Sequence, residues 1–242
     1  MQNVSISSAP GPEQLSQIET WLLAEHNQKR EGFYCNWNII RRAYDQQRMM
    51  VISVADHCVG FAIWQEHEVT ASIDIMEIKP GERKNGLGLA LTEALFNLLR
   101  AKGVVVADLQ CAPAESEPVW RKMGFVDFPD SFSRPVLENK ILYKILVPIT
   151  APGSTSNDEV AIALWNDEPF KARSKDPVIT WAVPLNDTFE LTRPIIHPSL
   201  PDWQIGWRMN GKDWKTKKVK YFNNESSYYN QFLVITSLHF FN

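Results

Sequence analysis

The chain has little cysteine and no long apolar run. Its three cysteines, Cys35, Cys58 and Cys111, are scattered over 242 residues and odd in number. That pattern excludes a disulfide framework and offers no metal-ligand spacing, so no metal is expected. A reducing compartment follows, with the cytoplasm as the expected location. No stretch reaches the roughly 18 consecutive apolar residues of a membrane helix. Nor does a charged segment precede an apolar one near the start, so neither a signal peptide nor a membrane span is expected. An excess of one charge is also missing. A formal net charge of −3 supplies no general field for nucleic acid, although a local patch remains open. No internal repeat is visible.

What is present is an ordinary globular composition, 44% apolar and 22% charged, in a chain long enough for one large domain or two small ones. The most informative stretch runs Ile78-Lys79-Pro80-Gly81-Glu82-Arg83-Lys84-Asn85-Gly86-Leu87-Gly88-Leu89-Ala90-Leu91. A β-branched run (Ile73, Ile75, Ile78) leads in and an amphipathic helix leads out. Bare N–H groups at a helix start, with the positive end of the helix dipole, form an anion site. Glycines at 86 and 88 let a phosphate approach that backbone, and Arg83 and Lys84 add charge at the same end. A turn that binds nothing has the same local pattern, so the flanks decide.

Those flanks read as alternating strands and helices. Residues 4–8 form a short strand. Gly11-Pro12 opens a helix with Leu15, Ile18, Trp21, Leu22 and Ala24 on its apolar face, and residues 29–32 break it. After an aromatic loop at 33–37, a second helix starts near Asn38, with Ile39, Ile40 and Ala43 inward. Strands at 49–55 and 58–66 flank Asp56-His57 as a hairpin, with Gly60 a bulge or close-packing point. Residues 70–78 form the third strand of this set. Leu87, Leu91, Ala94, Leu95 and Leu98 give the following helix one buried face, and Gly103 ends it. Residues 104–109 read as a strand buried on both faces. Ser116 caps a short helix that stops at Gly124, and strands follow at 125–128 and 141–147.

The loop Arg83-Lys84-Asn85-Gly86-Leu87-Gly88 resembles the acyl-CoA pyrophosphate loop of the Gcn5-related N-acetyltransferases (GNAT): Arg or Gln, two residues, Gly, one residue, Gly or Ala. The order of elements and the later Val119-Trp120-Arg121-Lys122-Met123-Gly124-Phe125 resemble the same family, over residues 4–148. The resemblance implies an α/β (α+β) acyl-CoA N-acyltransferase fold, a mixed central sheet flanked by helices. It implies an N-acetyltransferase using acetyl-CoA as co-substrate, with direct attack of an amine in a ternary complex. Cofactor contacts would come from Glu77, Ile78, Arg83, Lys84, Asn85, Gly86, Leu87, Gly88 and Leu89, with the backbone around Glu77 and Ile78 against the pantetheine arm and thioester carbonyl.

A free amine near pKa ~10.4 must lose a proton before it attacks. Many members of the family place a Glu where this chain has Ser72. The nearest acids are Asp74 and Glu77, expected on opposite faces of the strand by parity. Asp74 shares the parity of Ser72 and is the preferred base or water-orienter; a solvated Asp is the plain alternative. Glu66 and His67 at a strand end are weaker choices. Where the family often has a proton-donating Tyr, this chain has Trp120, which cannot transfer a proton. Tyr143 is the substitute, or else a core tyrosine. Cys111 invites a covalent relay, but without a spaced His or Asp it reads as a small buried hydrophobe. For the acceptor, Glu31, Phe33, Tyr34 and Trp37 are the expected contacts, unless those aromatics only pack the loop.

Residues 149–158 read as a linker after a 1–148 catalytic domain. Residues 159–242 read as a small, mostly β accessory domain of no recognised family. Strands are expected at 160–165, 178–183, 188–192, 203–209, 212–222 and 232–240, with no helix. Asn210-Gly211 predicts a two-residue hairpin pairing Trp207 with Trp214, Ile205 with Thr216 and Arg208 with Asp213. Lys212, Lys215, Lys217, Lys218 and Lys220, with aromatics nearby, suit either nucleic-acid contact or, preferably, a lysine-guarded edge strand. Two other functions therefore stay open beside the acyltransferase: a degraded acyl-CoA sensor, and a protein acting through its β domain on a partner or nucleic acid.

Overall fold

The computed structural model describes residues 3–29, 32–129, 132, 139–153, 159–184, 190–209, 212–222, 228–229 and 231–238. Contacts divide the chain into two units, Met1–Asp127 with Glu138–Leu146, and Phe128–Leu137 with Val147–Asn242. The sequence reading placed 128–137 in the first domain. The aromatic residues there explain the difference: Phe132 packs on Trp203 and Phe128 on Phe232, both at 5.4 Å between ring centroids. No helix among the described residues is long and apolar enough to cross a membrane.

The first unit runs β1 (Val4–Ser7), α1 (Pro12–Lys29), α2 (Trp37–Asp45), β2 (Met49–Val54), β3 (His57–His67), β4 (Thr70–Ile78), α3 (Leu87–Ala101), β5 (Val106–Gln110), α4 (Glu117–Lys122), β6 (Val126–Asp127) and β7 (Ile141–Ile145). The strands form one mixed sheet in the order β1-β2-β3-β4-β5-β7-β6. Only the β4–β5 pair is parallel, because α3 provides the crossover between them. Alternating apolar residues fill both faces. Ala62, Trp64, Ile73, Ala107 and Leu109 pack with Leu91, Leu95 and Leu99 of α3. Phe61, Ile63 and Ile75 pack with Ile18 and Leu22 of α1 and Ile40 of α2.

Two helix residues depart from the expected apolar faces. Ile39 is exposed, because Ile40 and Ala43 already fill the inward arc of a nine-residue helix, and Ala24 also faces outward. Ser116 does not cap α4 with its side chain. It already has helical angles (φ −74°, ψ −19°), whereas a capping residue needs an extended backbone, and its hydroxyl makes no cap hydrogen bond.

Two β-bulges shape the sheet. Ile52 pairs with Gly60 and Ser53 with Cys58, leaving Val59 as the extra residue. Ile63 pairs with Ile75 and Trp64 with Ile73, leaving Asp74 as the extra residue on β4. Gly60 is also a close-packing point: a Cβ there would lie 2.4 Å from Ile78 Cδ1 and 2.9 Å from the Glu77 carbonyl oxygen.

The second unit contains β8 (Glu159–Trp165), a one-turn α5 (Pro169–Ala172), β9 (Ile179–Pro184), β10 (Glu190–Pro198), β11 (Gln204–Met209), β12 (Lys215–Lys218), β13 (Tyr228–Tyr229) and β14 (Phe232–Ser237). Two sheets, β12-β11-β8-β9 and β10-β14-β13, enclose Ile162, Leu164, Trp181, Ile195, Ile205 and Leu233. Of the expected linker, Thr150 and Gly153 donate backbone hydrogen bonds to Pro194 and Thr180, so its first half is laced to this unit. The rest, 154–158, lies outside the described residues.

The hairpin register differs from the expectation by one residue. Trp207 pairs with Lys215, Gly206 with Thr216 and Ile205 with Lys217. The slip puts Trp214 under the Arg208 guanidinium, 4.7 Å from the ring centroid, and edge-on to Trp165 at 5.5 Å. Gly206 leaves the space Trp165 needs, since a Cβ there would be 2.9 Å from that ring. Asn210 and Gly211 themselves lie outside the described residues. The edge strand β12 is shorter than expected and passes into a 3-10 turn at Val219–Tyr221.

Candidate active site

The loop between β4 and α3 forms by sharp turns. A 3-10 turn at Pro80–Glu82 follows β4. Lys84 then adopts φ 67° and Gly86 φ 78°. The first value is uncommon for a residue with a side chain, and the second is where glycine costs least. The first backbone bond of α3 runs from the Ala90 N–H to the Gly86 carbonyl, 3.1 Å. The N–H groups of Leu87, Gly88 and Leu89 therefore have no acceptor within the helix. A Cβ at Gly88 would meet only Ile78 Cγ1, at 3.7 Å.

Beside the loop the sheet forks. β4 and β5 pair only from Thr70–Val106 to Ile73–Leu109, then part. The bulge at Asp74 falls at that fork. Beyond it, the edge of β4 that faced β5 borders a cleft of about 840 Å³. Lining it are Asp74, Glu77 and Ile78 from β4, Lys84, Gly86 and Gly88 from the loop and first turn, and Trp120 and Lys122 from α4. Phe33 lines it from the loop after α1. Leu89, expected at the cofactor, also lines it and is half exposed.

Arg83 lines the cleft too, but its side chain turns back onto β4. Its Nε donates to the Ile78 carbonyl oxygen at 2.9 Å, and its Nη2 bonds the Glu77 carboxylate. The same Nη2 lies 4.0 Å from Glu25 of α1. Burial raises the Glu77 carboxyl above its ordinary range, against the opposing pull of Arg83. Glu25 was invisible to sequence reasoning: 52 positions separate it from Glu77, by subtraction of their numbers, and no motif links them.

The bulge changes which way the acids point. Ala71, Ile73, Met76 and Ile78 pack on the α3 side, while Ile75 packs on the α1–α2 side. Strict alternation would place Ile73 and Ile75 together. With the bulge, Ser72, Ile75 and Glu77 share the face away from α3. Asp74 reaches that face as well, since both its oxygens accept from Gln65 Nε2 at 3.1 and 3.3 Å. The expectation that Asp74 and Glu77 face oppositely is thus corrected. The protein round Asp74 raises its carboxyl, and the Gln65 hydrogen bond works against that rise.

Tyr143 does not line the cleft; it lies on β7, cross-strand from Asp108, and burial raises its hydroxyl. Tyr34 and Trp37 stack at 6.4 Å, with His26 5.8 Å from Tyr34, and neither aromatic reaches the cleft. Glu31 lies outside the described residues. Cys111 is fully buried, and burial raises its thiol. Glu66 bonds Trp64 Nε1 at 2.9 Å and pairs with Lys102, in a shallow polar depression that also includes His67. Among the described residues no group of three or more His, Cys, Asp or Glu could hold a metal ion.

The model of the acetyltransferase (GNAT) family matches residues 13–125. Over those residues the fold is the GNAT acyl-CoA N-acyltransferase fold. Among solved structures, the chain is similar to Ard1 from Thermoplasma volcanium, at 19% identity over 60% of this chain and 99% of that one, TM-score 0.47. It is similar to a GNAT-family protein from Desulfovibrio desulfuricans, at 13% identity over 60% and 100% of the two chains, TM-score 0.50. A third is the PaiA N-acetyltransferase from Thermoplasma acidophilum in complex with coenzyme A, at 16% identity over 59% and 99%, TM-score 0.45. At such identities the likeness concerns the fold. No curated protein matches. The matched residues thus contain the loop, the fork and the cleft.

Proposed function

We propose that the chain is an acyl-CoA-dependent N-acyltransferase that moves an acetyl group from acetyl-CoA to an amine. One observation carries the reading: the forked strands open a cleft directly onto the glycine-bearing N-terminus of α3. The N–H groups of Leu87, Gly88 and Leu89, which have no acceptor within the helix, with Lys84 and the backbone of Asn85 and Gly86, would hold the pyrophosphate. Arg83 keeps the loop on β4 rather than reaching for phosphate. The free edge of β4 near Glu77 and Ile78 would take the pantetheine arm and thioester carbonyl. Coenzyme A in the T. acidophilum structure is in keeping with this.

In the reaction, the amine nitrogen attacks the thioester carbon, the N–C bond forms and the C–S bond breaks. Asp74, at the cleft and raised in its titration, is the group proposed to accept the amine proton, directly or through water. Trp120 cannot protonate the departing sulfur. A thiolate with a pKa near 8.5 is a fair leaving group at neutral pH, and juxtaposition of bound reactants supplies much of the rate.

Calorimetric titration with acetyl-CoA of the native protein and of Gly88→Arg tests the site. Binding to the native protein that disappears in a folded Gly88→Arg variant is expected. No binding to the native protein would overturn the reading. Release of free thiol on adding an amine separates an enzyme from a binding-only sensor.

A further inference from the structure

At the fork β4 has a bare backbone edge, and one acceptor on that edge is already taken. Ile78 pairs with Gly60 and Glu77 with Phe61 on β3. The Lys79 N–H donates to the Val59 carbonyl at 2.8 Å. Bonded and non-bonded pairs alternate along an antiparallel ladder. Lys79 and Glu77 therefore turn their N–H and carbonyl groups towards β3, whereas Met76 and Ile78 turn theirs to the opposite edge. That edge faces β5 as far as the Ile73–Leu109 pair, where the two strands part. Beyond it, Met76 and Ile78 both line the cleft.

A pantetheine arm carries two secondary amides, and an extended chain of amides adds to a bare sheet edge as another strand would. The Ile78 carbonyl is the last acceptor that β4 offers there. Arg83 Nε already donates to it at 2.9 Å, while Nη2 of the same side chain bonds the Glu77 carboxylate. The arm and the Arg83 side chain thus compete for one oxygen. That side chain is 49% exposed, so it can leave the edge for solvent. Arg83 is not the only cation of the cleft: Lys84 and Lys122 line it too, among the acids Asp74, Glu77, Glu82 and Glu115.

We propose that Arg83 is a gate on the pantetheine track: in the free protein its side chain fills the edge of β4 at Ile78, and acyl-CoA binds by displacing it. Arg83 then weakens acyl-CoA binding, the opposite of what a basic residue in a phosphate loop does as a direct ligand. A nucleotide that lacks the arm leaves the gate shut and is indifferent to it. The gate therefore acts on the arm and not on the phosphates. This inference rests on the acyltransferase reading.

The test uses the full chain, native and with Arg83→Lys or Arg83→Met, in calorimetric titrations with acetyl-CoA and with ADP, which has a pyrophosphate but no arm. Lys keeps a charge beside Glu77 and Glu25 without the two-donor fork of Arg, and Met keeps the length without any donor. Melting curves show that each variant is folded, and if one is not, the other reads the outcome. Both variants are expected to bind acetyl-CoA about fivefold more tightly, the scale of one intramolecular hydrogen bond that the ligand no longer displaces. Their ADP affinity should match the native value. A folded variant with native acetyl-CoA affinity overturns the gate. So does a loss of acetyl-CoA and ADP affinity together, which makes Arg83 a pyrophosphate ligand. An equal gain for both ligands also overturns it, since the arm is then not what Arg83 opposes. In each of these cases a native chain that binds acetyl-CoA leaves the cofactor site standing. A native chain that binds neither ligand overturns the gate and the cofactor site together.

Discussion

Arg83 donates from its Nε to the carbonyl oxygen of Ile78, 2.9 Å away, and so ties the phosphate-type loop to the last residue of the strand that forks. The same guanidinium stands between two carboxylates, Glu77 and Glu25, whose side chains are each only 11% exposed. Removing it leaves those carboxylates without their cation. Arg83→Gln should cost about 1–3 kcal/mol, the range for leaving a buried polar group without its partner. The lower end is expected because the guanidinium is itself half exposed.

The same contact fixes a pH dependence. The Glu77 carboxyl titrates above its unfolded value of 4.5 when folded. The folded chain therefore binds more protons than the unfolded chain in that window, and stability falls as pH rises through it. Without Arg83 the fall should be steeper. Melting temperatures of native and Arg83→Gln protein at a series of pH values check both effects; parallel curves would count against the role given to Arg83.

Gly60 gives a sharper steric prediction. A methyl group there meets Ile78 Cδ1 at 2.4 Å and the Glu77 carbonyl oxygen at 2.9 Å. The second atom is backbone and cannot simply rotate aside. Gly60→Ala should destabilise by about 1–3 kcal/mol, as overpacking does, and should weaken acetyl-CoA binding by shifting β4 at the fork. Gly88→Ala is the control, since its Cβ would make ordinary contact at 3.7 Å. Denaturant melts and calorimetry on the two variants separate the cases.

Much of the first unit was legible in the sequence because its signals are local. The apolar repeat from Leu87 to Leu99 sets α3, and Arg83, Gly86 and Gly88 mark the loop. The bulge at Asp74 was not legible. A period-2 reading assumes unbroken alternation, and one extra residue reverses every side chain beyond it. That is why Glu77 was assigned to the wrong face. Glu25 was missed for a different reason: its place beside Arg83 arises from α1 packing across the sheet, which no spacing encodes. Phe128 and Phe132 were read with the strand they follow, although their rings fill the core of the other unit.

The cysteines differ in a way that a thiol reagent can read. Cys35 is exposed, and Cys58 and Cys111 are buried. Burial pushes the Cys58 thiol up to about 11 and raises that of Cys111. The thiolate is the reactive form, so both should stay silent at mildly alkaline pH. A chromogenic disulfide should titrate one thiol per chain quickly in the native protein, and all three after denaturation. Fast reaction of two or more native thiols would contradict the packing of β3 or of the segment after β5.

The register of the β11–β12 hairpin can be decided by coupling energies. A two-residue turn at Asn210-Gly211 would set Arg208 against Asp213 as an ion pair. The observed register instead lays the Arg208 guanidinium over the Trp214 ring, 4.7 Å from its centroid, with Trp165 edge-on behind it. A cation over an aromatic face contributes about 0.5–1 kcal/mol at exposed sites, and residues in contact are non-additive by a similar amount. A double-mutant cycle on Arg208→Ala and Trp214→Ala should therefore give a coupling of about 0.5–1 kcal/mol. The cycle on Arg208→Ala and Asp213→Ala should give almost none. The reverse pattern would restore the two-residue turn and return Trp214 to the face of Trp207.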